Sequence, residues 1–350
     1  MENIAPALLE WFYKNQRILP FRTDPSPYHV WLSEIMLQQT RVSAALPYYE
    51  RFLAALPDIP ALAACEEEKL HKLWEGLGYY SRVRNLQKAA RIVCEQYGGQ
   101  LPADYDALRA LPGIGDYTAG AIASISFGLA VPAVDGNVLR VVSRLADCHD
   151  DISDPRTKKA VRAWVQEAMP YEMADIRVFN QAMMELGATV CVPNGPPRCG
   201  VCPARALCRG FAQGTAEALP VKAAKKARRV EEKTVFLLLR EGKTALRRRP
   251  GTGLLAGLWE FPHVEGSLDE AAAPAAVAAW GLEPRNWESK LTAKHVFTHV
   301  EWHMTGYALE VAGEGPGEFV WVDEEGLKSH AVPSAFAKYY AEAKRRLKER

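Results

Sequence analysis

Leu111-Pro-Gly-Ile-Gly-Asp-Tyr-Thr-Ala-Gly120 leads into an apolar segment that ends at Ala133-Val-Asp-Gly-Asn137. Two glycines two positions apart, Gly113 and Gly115, permit positive φ and a tight turn. Residues 116–127 then read as a helix of small and apolar side chains. A glycine hairpin that opens a helix aims several amide N–H groups at one point, and the helix dipole makes that point attractive to an anion. A DNA phosphate fits this description. An ordinary turn between helices fits it too when the hairpin is taken alone.

Working outward, residues 1–210 read as helix after helix, punctuated by Pro57, Pro60, Gly76, Gly78, Gly98 and Gly99. Apolar positions recur with helical period over 30–39, 42–56, 83–97, 138–146 and 160–168, which predicts an all-α unit with no alternating strand. After Cys208 the composition shifts. Residues 219–229 are basic, small and without apolar period, so they read as a solvated tether that could also lie along a phosphate backbone. Beyond it the period changes to two: strands are expected at 234–239, 244–246, 258–261, 295–302 and 319–322, with helices near 269–280 and 333–344. This predicts a separate α+β domain.

The chain has 350 residues, of which 48% are hydrophobic, enough for more than one buried core. Lys and Arg number 43 against 42 Asp and Glu, so contact with nucleic acid must come from local clusters and not from a whole-protein field. The start, Met-Glu-Asn-Ile-Ala-Pro, lacks the pattern of a signal peptide, and no membrane-spanning run occurs; a cytoplasmic, nucleoid-associated location without a membrane partner is expected.

Of seven cysteines, Cys65, Cys94 and Cys148 stand apart and are expected as small buried hydrophobes. Cys191, Cys199, Cys202 and Cys208 follow C-x7-C-x2-C-x5-C, a crowd that in a reducing compartment points to metal. Four thiolates so close can wrap one tetrahedral zinc or an iron–sulfur cubane, and the spacing leaves both open.

Two carboxylates stand out. In the helix that follows Asp24-Pro-Ser-Pro27, Glu34 has Val30 and Trp31 one turn before it and Leu37 nearly one turn after, a largely apolar face. A carboxyl desolvated there has its pKa raised and can hold a proton near neutrality, as a general acid must; a partly exposed, paired Glu is the plainer alternative. Asp135 precedes Gly136-Asn137 and an apolar helix, where it reads as an N-cap, and a capping carboxylate is also rigidly placed. Cleavage of an N-glycosidic bond builds positive charge on the sugar, which one fixed carboxylate can stabilise while a second group protonates the base.

The hairpin with an Asp downstream resembles the helix-hairpin-helix of the endonuclease III-like superfamily of DNA glycosylases. Within it, Leu19-Pro-Phe-Arg22, Val30-Trp-Leu-Ser-Glu-Ile-Met-Leu-Gln-Gln-Thr-Arg41, Trp74-Glu-Gly-Leu-Gly-Tyr-Tyr-Ser-Arg82 and Ala133-Val-Asp-Gly-Asn-Val138 look like the motifs of MutY adenine DNA glycosylases. That resemblance covers nearly all of residues 19–210, with Phe21 where the family usually has Trp. It implies that Glu34 protonates a flipped adenine, that Asp135 steadies the sugar, and that Tyr117 and Asn137 position groups around them. It also implies DNA contacts by Arg22, Thr40 and the Gly113–Gly115 hairpin, with Gln39 and Tyr79 as wedges that fill the gap left by the extruded base. The cysteine loop is similar to the family's iron–sulfur loop, with a first interval one residue longer, and implies a [4Fe-4S] cluster.

Tyr117 stands where bifunctional endonuclease III-like enzymes carry a nucleophilic Lys, so a monofunctional glycosylase is expected in preference to a glycosylase-lyase for oxidised pyrimidines. Thr252-Gly-Leu-Leu-Ala-Gly-Leu-Trp-Glu-Phe-Pro262 resembles the Nudix-like C-terminal domain of the same family. The acidic signature that would hold Mg²⁺ for pyrophosphate hydrolysis does not follow it, so this domain is expected to recognise, not catalyse. Phe297-Thr298-His299 stands where the family's Phe-Ser-His loop contacts oxidised guanine.

The expectation is therefore a multidomain protein. An all-α helix-hairpin-helix glycosylase unit with an iron–sulfur cluster loop (1–216, cluster loop 191–208) joins a basic linker (217–232) to an α+β Nudix-like lesion-recognition domain (233–350). The protein would act as a monomer in base excision repair on double-stranded DNA with 8-oxoguanine:adenine or guanine:adenine mispairs. A binder of DNA structure without catalysis, or an independent nucleotide hydrolase in the second domain, are the competing readings.

Overall fold

The computed structural model describes residues 3–223 and 227–349. They form two compact units: residues 3–64 with 84–223, and residues 65–83 with 227–349.

The first unit is helical, with no strand among its described residues. The helices expected from periodicity are present as Pro27–Leu37, Val42–Ala55, Ser81–Tyr97, Gly136–Ala146 and Pro155–Ala168. A further helix, Met173–Thr189, escaped the periodicity reading because it is buried on several sides and shows no single apolar stripe. Its Ile176, Phe179, Met183 and Leu186 pack with Leu8 and Phe12 of the Ala5–Asn15 helix and with Val138, Val141 and Val142. Gly187 allows the closest approach: a Cβ there would lie 2.6 Å from the Asn137 Cβ, so the helix axis can touch the start of Gly136–Ala146.

The opening motif joins the Tyr105–Ala110 and Asp116–Ala121 helices, the latter widening into π-helical Ile122–Ser126. Gly113 has φ +79°, and a Cβ would meet Asn85 at 2.8 Å. Gly115 departs from the expectation of positive φ: at −94° it is extended and sits as the N-cap. Of the isolated cysteines Cys65 is buried, whereas Cys94 and Cys148 are only half-buried.

The second unit is built on a seven-stranded sheet of β1 (Arg229–Arg240), β2 (Lys243–Arg248), β3 (Trp259–Glu260), β4 (His263–Glu265), β5 (Glu283–Val296), β6 (Val300–Ala312) and β7 (Phe319–Val322). Its order is β3-β2-β1-β6-β5, with β4 on β1 and β7 on β2; β1 and β6 are parallel and the other pairs antiparallel. Val235 and Leu237 face Phe336, Tyr339 and Ala343, whereas Phe236 and Leu238 face Ala273 and Val277. Burial on both faces explains why β1 reads as a continuous apolar run and not an alternation. The strand expected over 295–302 is instead the β5–β6 hairpin, with Phe297-Thr298-His299 as its turn and a Phe297 N–H to Val300 C=O bond of 2.8 Å. The helix expected at 269–280 is shorter, Ala273–Ala278, because the Asp269 carboxylate accepts from Ala271 and Ala272 N–H and ties up the preceding turn.

Two expected boundaries are corrected. Residues 65–83 group with the second unit: Glu68 accepts from Trp259 Nε1 at 3.1 Å, Glu75 accepts from the Val332 amide at 3.2 Å, and Tyr79 Oη meets Thr298 Oγ1 at 3.1 Å. The expected linker 217–232 is shorter. The Leu219 carbonyl accepts from Arg144 Nε at 2.9 Å, the Val221 carbonyl accepts from the Ile152 amide, and β1 begins at Arg229. Residues 224–226 of that stretch lie outside the described residues.

Gly187→Ala must push the Met173–Thr189 helix off Asn137. The expected cost is about 1–3 kcal/mol, as for other overpacked interiors. Urea unfolding measures it, and unchanged stability would mean that the two helices part freely.

Candidate active site

A cleft of about 1490 Å³ opens in the first unit, wider than the ~300–1,000 Å³ of typical small-molecule pockets. Glu34, Tyr117, Asp135 and Asn137 all line it, and so do Arg22, Gln39, Thr40 and Gly115.

Glu34 sits in the Pro27–Leu37 helix among Val30, Trp31, Ile35 and Met36 and is only 8% exposed. Tyr117, from the first turn of the Asp116–Ala121 helix, donates its hydroxyl to Glu34 Oε2, and Tyr117 Oη lies 3.2 Å from Met184 Sδ. Burial pushes the Glu34 carboxyl up to about 7; the Tyr117 hydrogen bond and the Arg22 charge oppose that rise, and the Asp135 charge reinforces it. The Tyr117 hydroxyl is itself raised well above its ordinary value, by burial first and then by Glu34 and Asp135, so it stays protonated and acts as a donor.

Asp135 is the N-cap of Gly136–Ala146, and both its oxygens are engaged: Oδ1 accepts from the Val138 amide and Oδ2 from Asn137 Nδ2, each at 2.7 Å. Its pKa is raised by burial, against the pull of those hydrogen bonds. Asn137 is oriented in turn by Arg140 Nη2 at 2.8 Å, and Arg140 also donates to the Gly187 and Cys191 carbonyls. The segment that delivers Asp135 is clamped by buried Asn180, which accepts from the Ala133 amide at 3.1 Å and donates to the Val131 carbonyl at 2.9 Å. Capping and chemistry therefore use one rigid carboxylate. A desolvated acid that can hold a proton near neutrality and a fixed carboxylate, both lining one cleft, form the pair that acid-assisted bond cleavage requires.

The other expected DNA-contacting residues are divided. Gln39 and Thr40 border the cleft just past the Glu34 helix; Gln39 is exposed and has φ +58°. Tyr79 is exposed at φ +47° in the second unit, hydrogen-bonded to Thr298. Non-glycine residues held in the left-handed region carry backbone strain, and such strain clusters at functional sites. In the β5–β6 turn Thr298 and His299 are exposed, whereas the Phe297 ring is half-buried against His295 and Trp302. Gly113 does not reach the cleft; it packs on Asn85.

Arg17, Gln181 and Glu185 also line the cleft and were not singled out from sequence. Gln181 and Glu185 are four apart on one helix, so they share a face, and that was the available signal.

Cys191, Cys199, Cys202 and Cys208 border one small space with Leu186, Val190 and Ala216. The longer first interval is absorbed in a turn closed by the Arg198 amide on the Val190 carbonyl, so Cys191 faces the same space as the other three. Arg144 Nη1 lies 3.3 Å from Cys191 Sγ, and the Phe211 amide lies 3.4 Å from Cys208 Sγ, donors suited to thiolate sulfur. Among the described residues no three His, Cys, Asp or Glu side chains close tightly enough to grip a single ion. Four soft sulfurs around a shared cavity fit a larger metal–sulfur group.

Replacing Glu34 with Gln gives a pH-dependent stability change. The folded pKa of Glu34 lies above its unfolded value, so wild-type stability falls as pH rises from about 4.5 to about 7. Glu34→Gln should therefore match wild type near pH 5 and exceed it by up to about 3 kcal/mol near pH 8 in urea melts. No gain at the higher pH would show that the buried carboxyl ionises at its ordinary pH.

Residues 32–167 match the HhH-GPD superfamily of base excision DNA repair proteins, and residues 234–342 match the NUDIX domain. The adenine DNA glycosylase of Homo sapiens is 34% identical over 95% of this chain and 72% of its own length. That of Buchnera aphidicola subsp. Baizongia pistaciae is 31% identical over 86% of this chain and 83% of its own. Among solved structures, a thermostable thymine-DNA glycosylase aligns with TM-score 0.54 and 26% identity, over 60% of this chain and 95% of that one. With the helix-hairpin-helix, the buried acid pair and the NUDIX unit, these matches establish that the chain belongs to the adenine DNA glycosylase family of base excision repair.

Proposed function

We propose that this protein excises adenine paired with 8-oxoguanine or guanine in duplex DNA, by hydrolysis and without strand cleavage. The observation that carries the reading is the buried contact of Tyr117 with Glu34 in the cleft that Asp135 also lines. In this reading the nucleotide is extruded into the cleft, and Gln39 and Tyr79 occupy the space it leaves. Arg22, Thr40 and the amides of the Gly113–Gly115 hairpin hold the DNA.

Glu34, protonated near neutrality, donates its proton to N7 of adenine. The C1′–N9 bond then breaks with its electron pair passing to the purine. The fixed Asp135 carboxylate stabilises the oxocarbenium-like sugar, and water adds at C1′ to leave an abasic site, its surplus proton passing to solvent. No lysine amine stands at position 117, so no Schiff base forms there and the strand stays intact. Phe297, Thr298 and His299 present an exposed turn suited to the opposite, oxidised base. The four cysteines would hold a [4Fe-4S] cluster that staples the 191–208 loop, presenting Arg198, Arg205 and Arg209 to phosphate. The protein would work as a cytoplasmic, nucleoid-associated monomer.

Duplexes bearing 8-oxoguanine:adenine, guanine:adenine or thymine glycol test this directly. Free adenine should be released from the first two, with strand breaks only after alkali, and Glu34→Gln should lower release by at least about a hundredfold while binding persists. Retained turnover in that variant, or efficient borohydride trapping of a DNA adduct, would refute the mechanism. Purified protein should contain iron and acid-labile sulfide with broad visible absorption; zinc without such absorption would remove the cluster.

A further inference from the structure

Glu185 takes no part in the chemistry above, yet its side chain is fully buried at the edge of the same cleft. It follows Met184, whose sulfur touches the Tyr117 hydroxyl. Arg17 donates to it through Nε and Nη2, each at 2.7 Å, and through its amide at 3.2 Å; Arg22 donates through Nη2 at 2.7 Å. Arg22 is further held by Nη1 on the Arg17 carbonyl at 3.1 Å and by its place over the Phe12 ring. Its guanidinium also bears on Glu34, which is faced otherwise by Tyr117 from the Asp116–Ala121 helix and by Asp135 from the cap of Gly136–Ala146. Two buried carboxyl groups, Glu34 and Glu185, thus lie within the influence of one nearly buried cation.

A guanidinium free to pair with a carboxylate lowers its pKa by roughly 1–3 units, enough to strip a proton donor of its proton at neutrality. Glu185 does not release its cations there: burial works to raise its pKa, but the hydrogen bonds and charges of Arg17 and Arg22 hold it at about 2. We propose that Glu185 is a positioning residue which, by holding Arg22 in a buried ion pair, keeps that guanidinium from pairing with Glu34, so that Glu34 keeps its proton for the leaving base. The proposal rests on the reading of Glu34 as proton donor.

The test is single-turnover adenine release at saturating enzyme from about pH 5 to 9, where the alkaline limb reports loss of the donor's proton. Glu185→Gln preserves volume and one acceptor; its limb should fall by about one unit, an about tenfold loss on the alkaline side. Arg22→Met, which leaves Glu185 paired with Arg17, should move the limb up by about half a unit or more, and the double variant should return it to or above wild type. A lower rate with an unmoved limb in Glu185→Gln is what a merely structural role gives, and it overturns the proposal. An unmoved limb in Arg22→Met overturns it whether or not Glu185→Gln folds. Glu34→Gln in the same assay separates the two readings: retained turnover removes the donor, whereas lost turnover beside unmoved limbs removes only the role of Glu185.

Discussion

A carboxyl group taken out of water is the constraint around which the first unit is arranged. Glu34 lies among Val30, Trp31, Ile35 and Met36, where an ionised form is costly, and the polar groups that meet it come from other elements. Tyr117 supplies a donor from the hairpin helix, Asp135 a second carboxylate from a helix cap, and Arg22 a cation from the segment before the Glu34 helix. Each element must therefore be set to within hydrogen-bond tolerance. A loose fit would leave a buried acid without partners or flood the cleft with water.

The Met173–Thr189 helix provides much of that accuracy. Asn180 clamps the strand of chain that carries Asp135, and Met184 meets the Tyr117 hydroxyl. Glu185 gathers Arg17 and Arg22, and Gly187 lets Asn137 come close enough for Arg140 to bridge them. One helix thus holds the groups that surround the acid pair, Tyr117, Arg22, Asn137 and the chain before Asp135, without itself supplying a carboxylate to the chemistry. The same Arg140 reaches the Cys191 carbonyl, so the cysteine loop and the cap of Asp135 hang from one guanidinium. The loop's four sulfurs border a space lined also by Val141, Leu145 and Leu186, which suits a staple for a segment that has little secondary structure of its own.

The second unit meets its own constraint differently. Its sheet buries both faces, so β1 is apolar without a break over residues 235–239, and the β5–β6 turn presents exposed Thr298 and His299. Segment 65–83 joins this unit through Glu68, Glu75 and Tyr79, which places two exposed positions, Tyr79 and Thr298, within hydrogen-bond reach of each other. The two residues belong to separate sequence motifs, and nothing in either motif indicates their pairing.

Features set by neighbours a few residues apart were open to reading from the chain alone: the amphipathic helices, the glycine turn at 113, the cap formed by Asp135 on Val138, the clustered cysteines and the apolar face around Glu34. Each follows from φ/ψ preference, side-chain periodicity or a short covalent reach. Only the fold decided that Tyr117 donates its hydroxyl to Glu34, that Glu185 faces Arg17 and Arg22, that residues 65–83 pack with the sheet unit, and that 297–299 is a turn and not a strand. Those outcomes depend on side chains brought together over long stretches of chain, where desolvation and charge balance act between partners that no local pattern names.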